Sequence, residues 1–144
     1  KKPSRVTGST VGVYMQRPTF DAARSAYMAD LDTLATGPDT LARWVDAALA
    51  AYAALDASER VAIADTLPAE DRTEARGINR TFQVGADTIE KVNAALVADR
   101  QAGRWRSRSV FAVEAIQWAI NAAKERAGGV LPEAPPRLPN RAMR

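Results

Sequence analysis

The chain has 144 residues, 47% of them hydrophobic, which is enough apolar sequence to form the core of one ordinary domain. It contains no cysteine and no histidine, so disulfides, Cys/His zinc sites, thiol nucleophiles and histidine-dependent catalytic triads are excluded. The formal net charge is +3, which is a weak indication of an acidic partner such as nucleic acid.

Several other functional classes lack their usual sequence signals. No apolar run reaches the length of a membrane span and no secretory signal is present, so we expect a cytoplasmic protein. There is no glycine-rich phosphate loop, and the carboxylates are scattered over faces predicted to be solvated. We therefore expect no enzymatic activity, no catalytic residue, no metal site and no cofactor.

Residues 1–9 are basic and polar and contain Pro3 and Gly8, which predicts a flexible basic lead-in. This segment is either a disordered end or an arm that contacts phosphates. Because the sequence starts at Lys1 rather than at Met, we expect either a truncated or a processed chain.

Residues 10–55 are predicted to form a strand followed by two helices. Residues of the strand alternate between its two faces. Val11, Val13 and Met15 form the apolar face, and Gly12, Tyr14 and Gln16 form the outer face. Pro18 suits the first helical position, where its missing N–H costs nothing. The apolar stripe of this helix consists of Phe20, Ala23, Tyr27, Leu31 and Leu34. Residues 37–40 end the helix and cap the next one, whose apolar face consists of Leu41, Trp44, Val45, Ala48, Leu49 and Tyr52.

Residues 56–78 are predicted to be an acidic linker with one short helix. Ser58 and the apolar residues 61–63 predict the helix, which ends before Pro68. Acidic side chains outnumber Arg60, Arg72 and Arg76 in this segment. We expect a solvated connector that avoids polyanions.

Residues 79–127 repeat the plan of a strand and two helices. Phe82 and Val84 point to one side of the predicted strand, and Thr81 and Gln83 to the other. A helix that starts at Asp87 and ends at Gly103 carries the apolar residues Ile89, Val92 and Leu96. A basic connection over residues 104–109 leads to a second helix, which ends near Arg126 and carries Val110, Phe111, Val113, Ile116, Trp118 and Ile120.

Residues 128–144 are rich in proline and basic, which predicts an extended, mobile tail. This tail is either a disordered end or a ligand for a partner protein.

The two halves of the chain align with each other as an internal repeat. The matched pairs are Val13 with Phe82, Met15 with Val84, Phe20 with Ile89, Tyr27 with Leu96, Gly37 with Gly103 and Trp44 with Phe111. The offset is about 69 residues in the first part and about 67 in the second, which indicates a small insertion or deletion near the turn between the helices. Chance alignment of a strand, a glycine turn and two apolar faces in the same order is improbable.

The second half of the chain resembles the ribbon-helix-helix family of DNA-binding proteins in the order of its elements. These are a strand, a helix, a glycine-containing turn and a helix with a Ser/Arg-rich start. The residues that carry the resemblance are 81–84, Gly103, 106–109 and 114–116. One such unit is too small to close a core alone, so it must pair with a second copy. The resemblance implies a mainly α fold with a short two-stranded antiparallel β-ribbon. Two tandem units would form an intramolecular pseudo-dimer, since the covalent link supplies the partner at high effective concentration.

In this family the polar face of the ribbon enters the DNA major groove, and the starts of the second helices contact phosphates. The residues predicted to contact bases are Gly12, Tyr14, Gln16, Asn79, Thr81 and Gln83. The residues predicted to contact phosphates are Thr40, Arg43, Arg80, Arg104, Arg106, Ser107, Arg108 and Ser109. Because the two strands carry unlike polar residues, the predicted DNA site is asymmetric. These residues have plainer interpretations, as an exposed strand face and as helix caps.

Four aromatic residues remain. Trp44, Phe111 and Trp118 are interpreted as core or pairing residues, whereas Trp105 packs either on a helix end or near the DNA backbone.

The tandem arrangement resembles the ParB-type centromere-binding proteins of actinobacterial-type plasmid partition systems. That resemblance implies double-stranded DNA with short repeated sites, a ParA-type ATPase as partner, side-by-side stacking of chains on DNA, and a nucleoid- or plasmid-associated location. In that family a basic N-terminal segment contacts the ATPase, and we expect it to lie before Lys1. The alternatives are a ribbon-helix-helix transcriptional repressor, including one of its own operon, and a helical protein-interaction module that binds no DNA.

Overall fold

The computed structural model describes residues 9–68 and 76–134. These residues form a mainly helical fold with one two-stranded antiparallel sheet, which confirms the predicted fold class at this level. The elements in chain order are β1 (Ser9–Met15), α1 (Arg17–Thr33), α2 (Leu41–Ala53), α3 (Ala57–Ala64), β2 (Ile78–Val84), α4 (Ala86–Gln101) and α5 (Arg108–Arg126). The predictions for residues 1–8, 69–75 and 135–144 lie outside the described residues. Within the described ranges, no helix combines the length and the apolar character that crossing a membrane requires.

The two strands pair in a register that is centred on Gly12 and Thr81. Each strand has seven residues, and the partners that flank the centre are Val11 with Phe82 and Val13 with Arg80. The apolar residues of both strands are buried, as the two-residue period of a strand predicts: Val11, Val13, Met15, Phe82 and Val84 are at most 7% exposed. One face of the ribbon therefore belongs to the core.

The helix boundaries follow from local capping. Thr40 caps α2 by accepting the N–H of Arg43 at 3.1 Å, and Ser107 caps α5 by accepting the N–H of Val110 at 3.0 Å. Helix α4 ends in a Schellman turn, in which Gly103 adopts a φ of 96° that favours glycine. Helix α1 begins at Arg17, one residue before Pro18, which remains within the first turn where N–H groups have no intrahelical partner.

The helices of the two halves interlock. Helix α5 packs against β1 and α2 packs against β2, so each strand is covered by a helix from the other half. Similarly, α1 packs chiefly on α5, and α4 packs chiefly on α2. The core at the centre of this arrangement includes Tyr27, Trp44, Leu49, Tyr52, Val92, Phe111 and Ile116. The core is therefore shared, since its main helix contacts run between the halves.

The linker contributes a buried cation, which the sequence did not lead us to expect. Helix α3 is present, and its start carries a capping box formed by Asp56 and Glu59. Arg60, however, is only 1% exposed, so the expectation of a solvated connector is wrong at this position. Its guanidinium donates to Asp99 on α4 at 2.9 Å and to the backbone carbonyl of Leu55. Burial lowers the pKa of Arg60, and these partners offset the cost of removing its charge from water.

A second buried aspartate occupies the corresponding place in the first half. Asp30 on α1 and Asp99 on α4 are 2% and 1% exposed and lie about 69 residues apart, as in the sequence repeat. Asp30 accepts the indole N–H of Trp44 at 2.9 Å and pairs with Arg126 at 2.9 Å. Each aspartate thus binds an arginine of the other half, Arg126 at the end of α5 or Arg60 in α3.

Candidate nucleic-acid interface

The outer face of the ribbon presents six side-chain positions in three cross-strand pairs. These pairs are Thr10 with Gln83, Gly12 with Thr81, and Tyr14 with Asn79. All are exposed except Tyr14, which is half-buried. The pleat of the strands places them opposite the apolar set, so five of the six residues predicted to contact bases lie together on one surface. Amide and hydroxyl groups of this kind can form hydrogen bonds with base edges.

Gln16 does not belong to this surface, and its prediction as a base-contacting residue is wrong. Strand β1 ends at Met15, and Gln16 precedes α1 as its N-cap residue, where its carbonyl accepts the N–H of Phe20 at 3.1 Å. The side chain is buried, with only 5% of the residue exposed. Thr10 takes the third outer position instead. The alternation of β1 continues one step upstream of Gly12, and this is the signal that would have identified Thr10.

Tyr14 differs from the other outer residues because it packs against the chain that leads into β2. Its hydroxyl oxygen accepts the N–H of Gly77 at 2.9 Å. A Cβ atom on Gly77 would lie 2.6 Å from the Tyr14 ring, so only glycine leaves room for the ring in this position. The backbone N–H of Tyr14 donates to the Ser109 hydroxyl at 2.9 Å, which joins the ribbon to the first turn of α5. Tyr14 therefore has a fixed orientation.

The two helix N-termini predicted to bind phosphate are both well defined. Thr40 and Ser107 each satisfy one N–H of the first turn, and the N–H groups that precede it in α2 and α5 have no acceptor within their helix. Such a terminus carries a partial positive charge. The Ser109 hydroxyl oxygen accepts the Tyr14 N–H, so this side chain also positions α5 on the ribbon.

Three of the predicted phosphate-binding arginines have exposed side chains. Arg108 is at the start of α5 and donates to the neutral side chain of Asn93 at 3.1 Å. The Arg80 guanidinium lies 4.9 Å from the ring centre of Phe20. The Arg43 side chain is 60% exposed but pairs with Asp39 at 2.7 Å, which reduces the positive potential at the start of α2.

Arg106 faces the core, so its prediction as a phosphate-contacting residue is wrong. Its side chain is 5% exposed and forms ion pairs with Asp99 and Glu114. Arg104 is 28% exposed and also pairs with Glu114, at 3.1 Å. The turn at Gly103 reverses the chain and directs residues 104 and 106 toward these carboxylates. Two of the three arginines in the basic connection, Arg104 and Arg106, are therefore engaged in internal ion pairs.

Glu114 also accepts a hydrogen bond from the buried hydroxyl of Tyr52 at 3.0 Å. Burial and the negative charge of Glu114 raise the pKa of Tyr52 above its ordinary value, because both favour the neutral phenol. This carboxylate therefore connects α2, α5 and the basic connection.

The tryptophans occupy different environments. Trp44 is 3% exposed in the core, and Trp118 is half-buried with its ring centre 5.4 Å from that of Tyr52. Trp105 is 78% exposed, and the Arg100 guanidinium lies 5.5 Å from its ring centre. Trp105 thus lies on the surface in a cation–π contact with Arg100, which belongs to the last turn of α4.

No protein-family model, no curated protein and no solved structure matches this chain.

Proposed function

We propose that the chain binds double-stranded DNA in a sequence-specific manner, with the outer face of the β-ribbon in the major groove. The observation that carries this proposal is the ribbon face itself. Thr10, Asn79, Thr81 and Gln83 are exposed around a central glycine, and five apolar side chains of the opposite face are buried. A two-stranded ribbon fits the width of the major groove. Gln and Asn can pair bidentately with adenine, and Thr can contact the thymine methyl group.

We further infer that the chain consists of two ribbon-helix-helix units that form a pseudo-dimer. Three features support this interpretation. The ribbon is centred on Gly12 and Thr81, which are about 69 residues apart, the offset of the sequence repeat. The caps Thr40 and Ser107 are about 67 residues apart, the offset of its second part. Each first helix packs chiefly on the second helix of the other half.

Phosphate binding is the second part of the proposed mechanism. The N-termini of α2 and α5 flank the ribbon, because α2 packs on β2 and α5 packs on β1. Their first N–H groups can bind the phosphates on either side of the groove. The arginines that remain available for this role are Arg43, Arg80 and Arg108, with Arg104 in part. Arg106 supports the start of α5 from within.

The proposed biological role is that of a centromere-binding adaptor in plasmid partition, working with a ParA-type ATPase and stacking side by side on short DNA repeats. The tandem repeat and its resemblance to two-unit partition proteins support this role. A repressor of transcription uses the same interface, so the arrangement of the DNA sites distinguishes the two.

The test is a selection of bound fragments from the genomic and plasmid DNA of the host at physiological salt. An enriched array of short repeats beside an ATPase gene would support the partition role, and the repeat length would give the footprint of one chain. Enrichment of single promoter sites would support a repressor instead. Absence of enrichment at every salt concentration would refute DNA binding and favour the helical interaction module.

A further inference from the structure

We propose that the two ends of the ribbon have different tasks, so that one chain binds a non-palindromic DNA site in a single orientation. The end formed by Thr10 and Gln83 distinguishes base sequence, whereas the end formed by Tyr14 and Asn79 mainly places the chain on the backbone. This inference rests on the DNA-binding function proposed above.

The backbone of the ribbon is symmetric but its side chains are not. A two-fold axis that passes through the central pair of Gly12 and Thr81, perpendicular to the ribbon, exchanges Thr10 with Asn79 and Tyr14 with Gln83. The two ends would have the same chemistry only if these exchanged residues were alike. Instead an exposed amide at one end corresponds to a half-buried phenol at the other.

The Thr10 end carries the groups that discriminate between bases. The Gln83 side chain has both a donor and an acceptor and can match the two hydrogen-bonding atoms of adenine in the major groove. Thr10 lies directly opposite and is exposed. Two exposed polar side chains therefore face the same base pairs from the two strands.

The Tyr14 end is constrained by the protein. The Tyr14 hydroxyl oxygen accepts the Gly77 N–H at 2.9 Å, and its ring fills the space that a Cβ on Gly77 would need. The phenol presents at most one hydrogen bond to a base, whereas a bidentate side chain presents two. Only Asn79 remains as an exposed amide at this end. Base discrimination is consequently weaker here.

The helix starts beside the two ends of the ribbon differ in their attraction for phosphate, and this attraction is stronger at the Tyr14 end. Ser109 joins the start of α5 to Tyr14, so this helix start, which carries the exposed Arg108, lies beside the Tyr14 end. The side chain of Arg108 donates to the neutral Asn93 rather than to a carboxylate. Helix α2 lies beside the other end, where Asp46 accepts the N–H of Gly85 just after β2 at 3.2 Å. The start of α2 carries the ion pair of Arg43 with Asp39, which reduces its attraction for phosphate. Backbone attraction is therefore strongest at the end where base discrimination is weakest.

The absence of cysteine from the sequence permits a direct test of orientation. Thr36→Cys, in the turn before α2, and Ala102→Cys, in the turn before α5, are both at exposed positions and would each carry a tethered iron–EDTA group. The probe is a duplex recovered from a random-sequence pool, and the affinity of each labelled chain is measured first by fluorescence anisotropy. We expect each label to cleave one flank of the site, and the two labels to cleave opposite flanks. Cleavage of both flanks by each label would overturn the single orientation while leaving DNA binding intact.

A second measurement uses unlabelled protein and symmetrised sites. Each half of the recovered site is duplicated, which gives two palindromes. The palindrome built from the half under Thr10 and Gln83 should bind within about 3-fold of the original, and the other palindrome about 10- to 100-fold more weakly. Gln83→Ala should remove that difference, whereas Asn79→Ala serves as the matched control and should leave most of it. Equal affinities for the two palindromes would overturn the division of tasks. Failure to recover any duplex from the pool would instead refute DNA binding itself.

Discussion

Replacement of Asp99 by asparagine should destabilise the fold strongly, because Asp99 is a buried carboxylate with buried cationic partners. Asp99 is 1% exposed and is shared by two guanidinium groups, those of Arg60 and Arg106, whose side chains are 2% and 5% exposed. The substitution preserves shape but removes the negative charge. Glu114 then remains as the carboxylate partner of Arg106, while Arg60 retains neutral carbonyl acceptors. Leaving a buried charge without its partner typically costs about 3–5 kcal/mol, which is the loss expected for Asp99→Asn.

The corresponding residue of the first half provides a matched control. Asp30 is equally buried, but the side chain of its partner Arg126 is 41% exposed and can be hydrated once the ion pair is lost. The buried indole N–H of Trp44 still finds an oxygen acceptor in asparagine. Asp30→Asn should therefore cost only about 1–2 kcal/mol.

Urea denaturation followed by circular dichroism measures both losses, provided that the m-values of the variants match that of the unaltered protein. A loss below about 1 kcal/mol for Asp99→Asn would contradict the charge-burial argument. Equal losses for the two variants would show that the burial of the partner arginines does not decide the cost.

Three further predictions address the interface and the core. Arg108→Ala should reduce the slope of log K against log salt concentration for DNA binding by about one unit. Arg106→Ala should instead lower the free energy of unfolding and leave this slope unchanged. The reverse pattern in salt titrations would show that Arg106 contacts DNA. Gln83→Ala should cost about 1–3 kcal/mol on the preferred duplex and less on random DNA, and equal losses would exclude base recognition at this position. The pKa of Tyr52 is raised in the folded state. Above about pH 10 the unfolded chain therefore loses a proton that the folded chain keeps, and the free energy of unfolding should fall by about 1.4 kcal/mol per pH unit. Urea titrations between about pH 9 and pH 11 should show that Tyr52→Phe removes this fall, and an unchanged decline would assign it to other groups.

The faces of the ribbon were predictable from the sequence because a strand alternates with a period of two. Val11, Val13, Phe82 and Val84 are buried as that period requires. The end of β1 was not predictable to the residue, because Gln16 continues the alternation as well as Thr10 does. Tertiary packing decides between them: Gln16 is the residue at which the chain turns into α1, and its side chain is covered.

The sequence by itself determined the helices and the two strands, because these depend on local periodicity, capping residues and glycine turns. Only the tertiary structure decided which charges are available to a partner. Arg60, Arg106 and Arg108 have the same chemistry in the sequence, yet the first two pair with a buried aspartate and the third remains on the surface. For Arg60 the counter-charge comes from a distant chain segment, since Asp99 lies 39 residues away and only the fold brings the two together. Local patterns contain no information about such a partner, so the composition of the proposed interface depends on the fold.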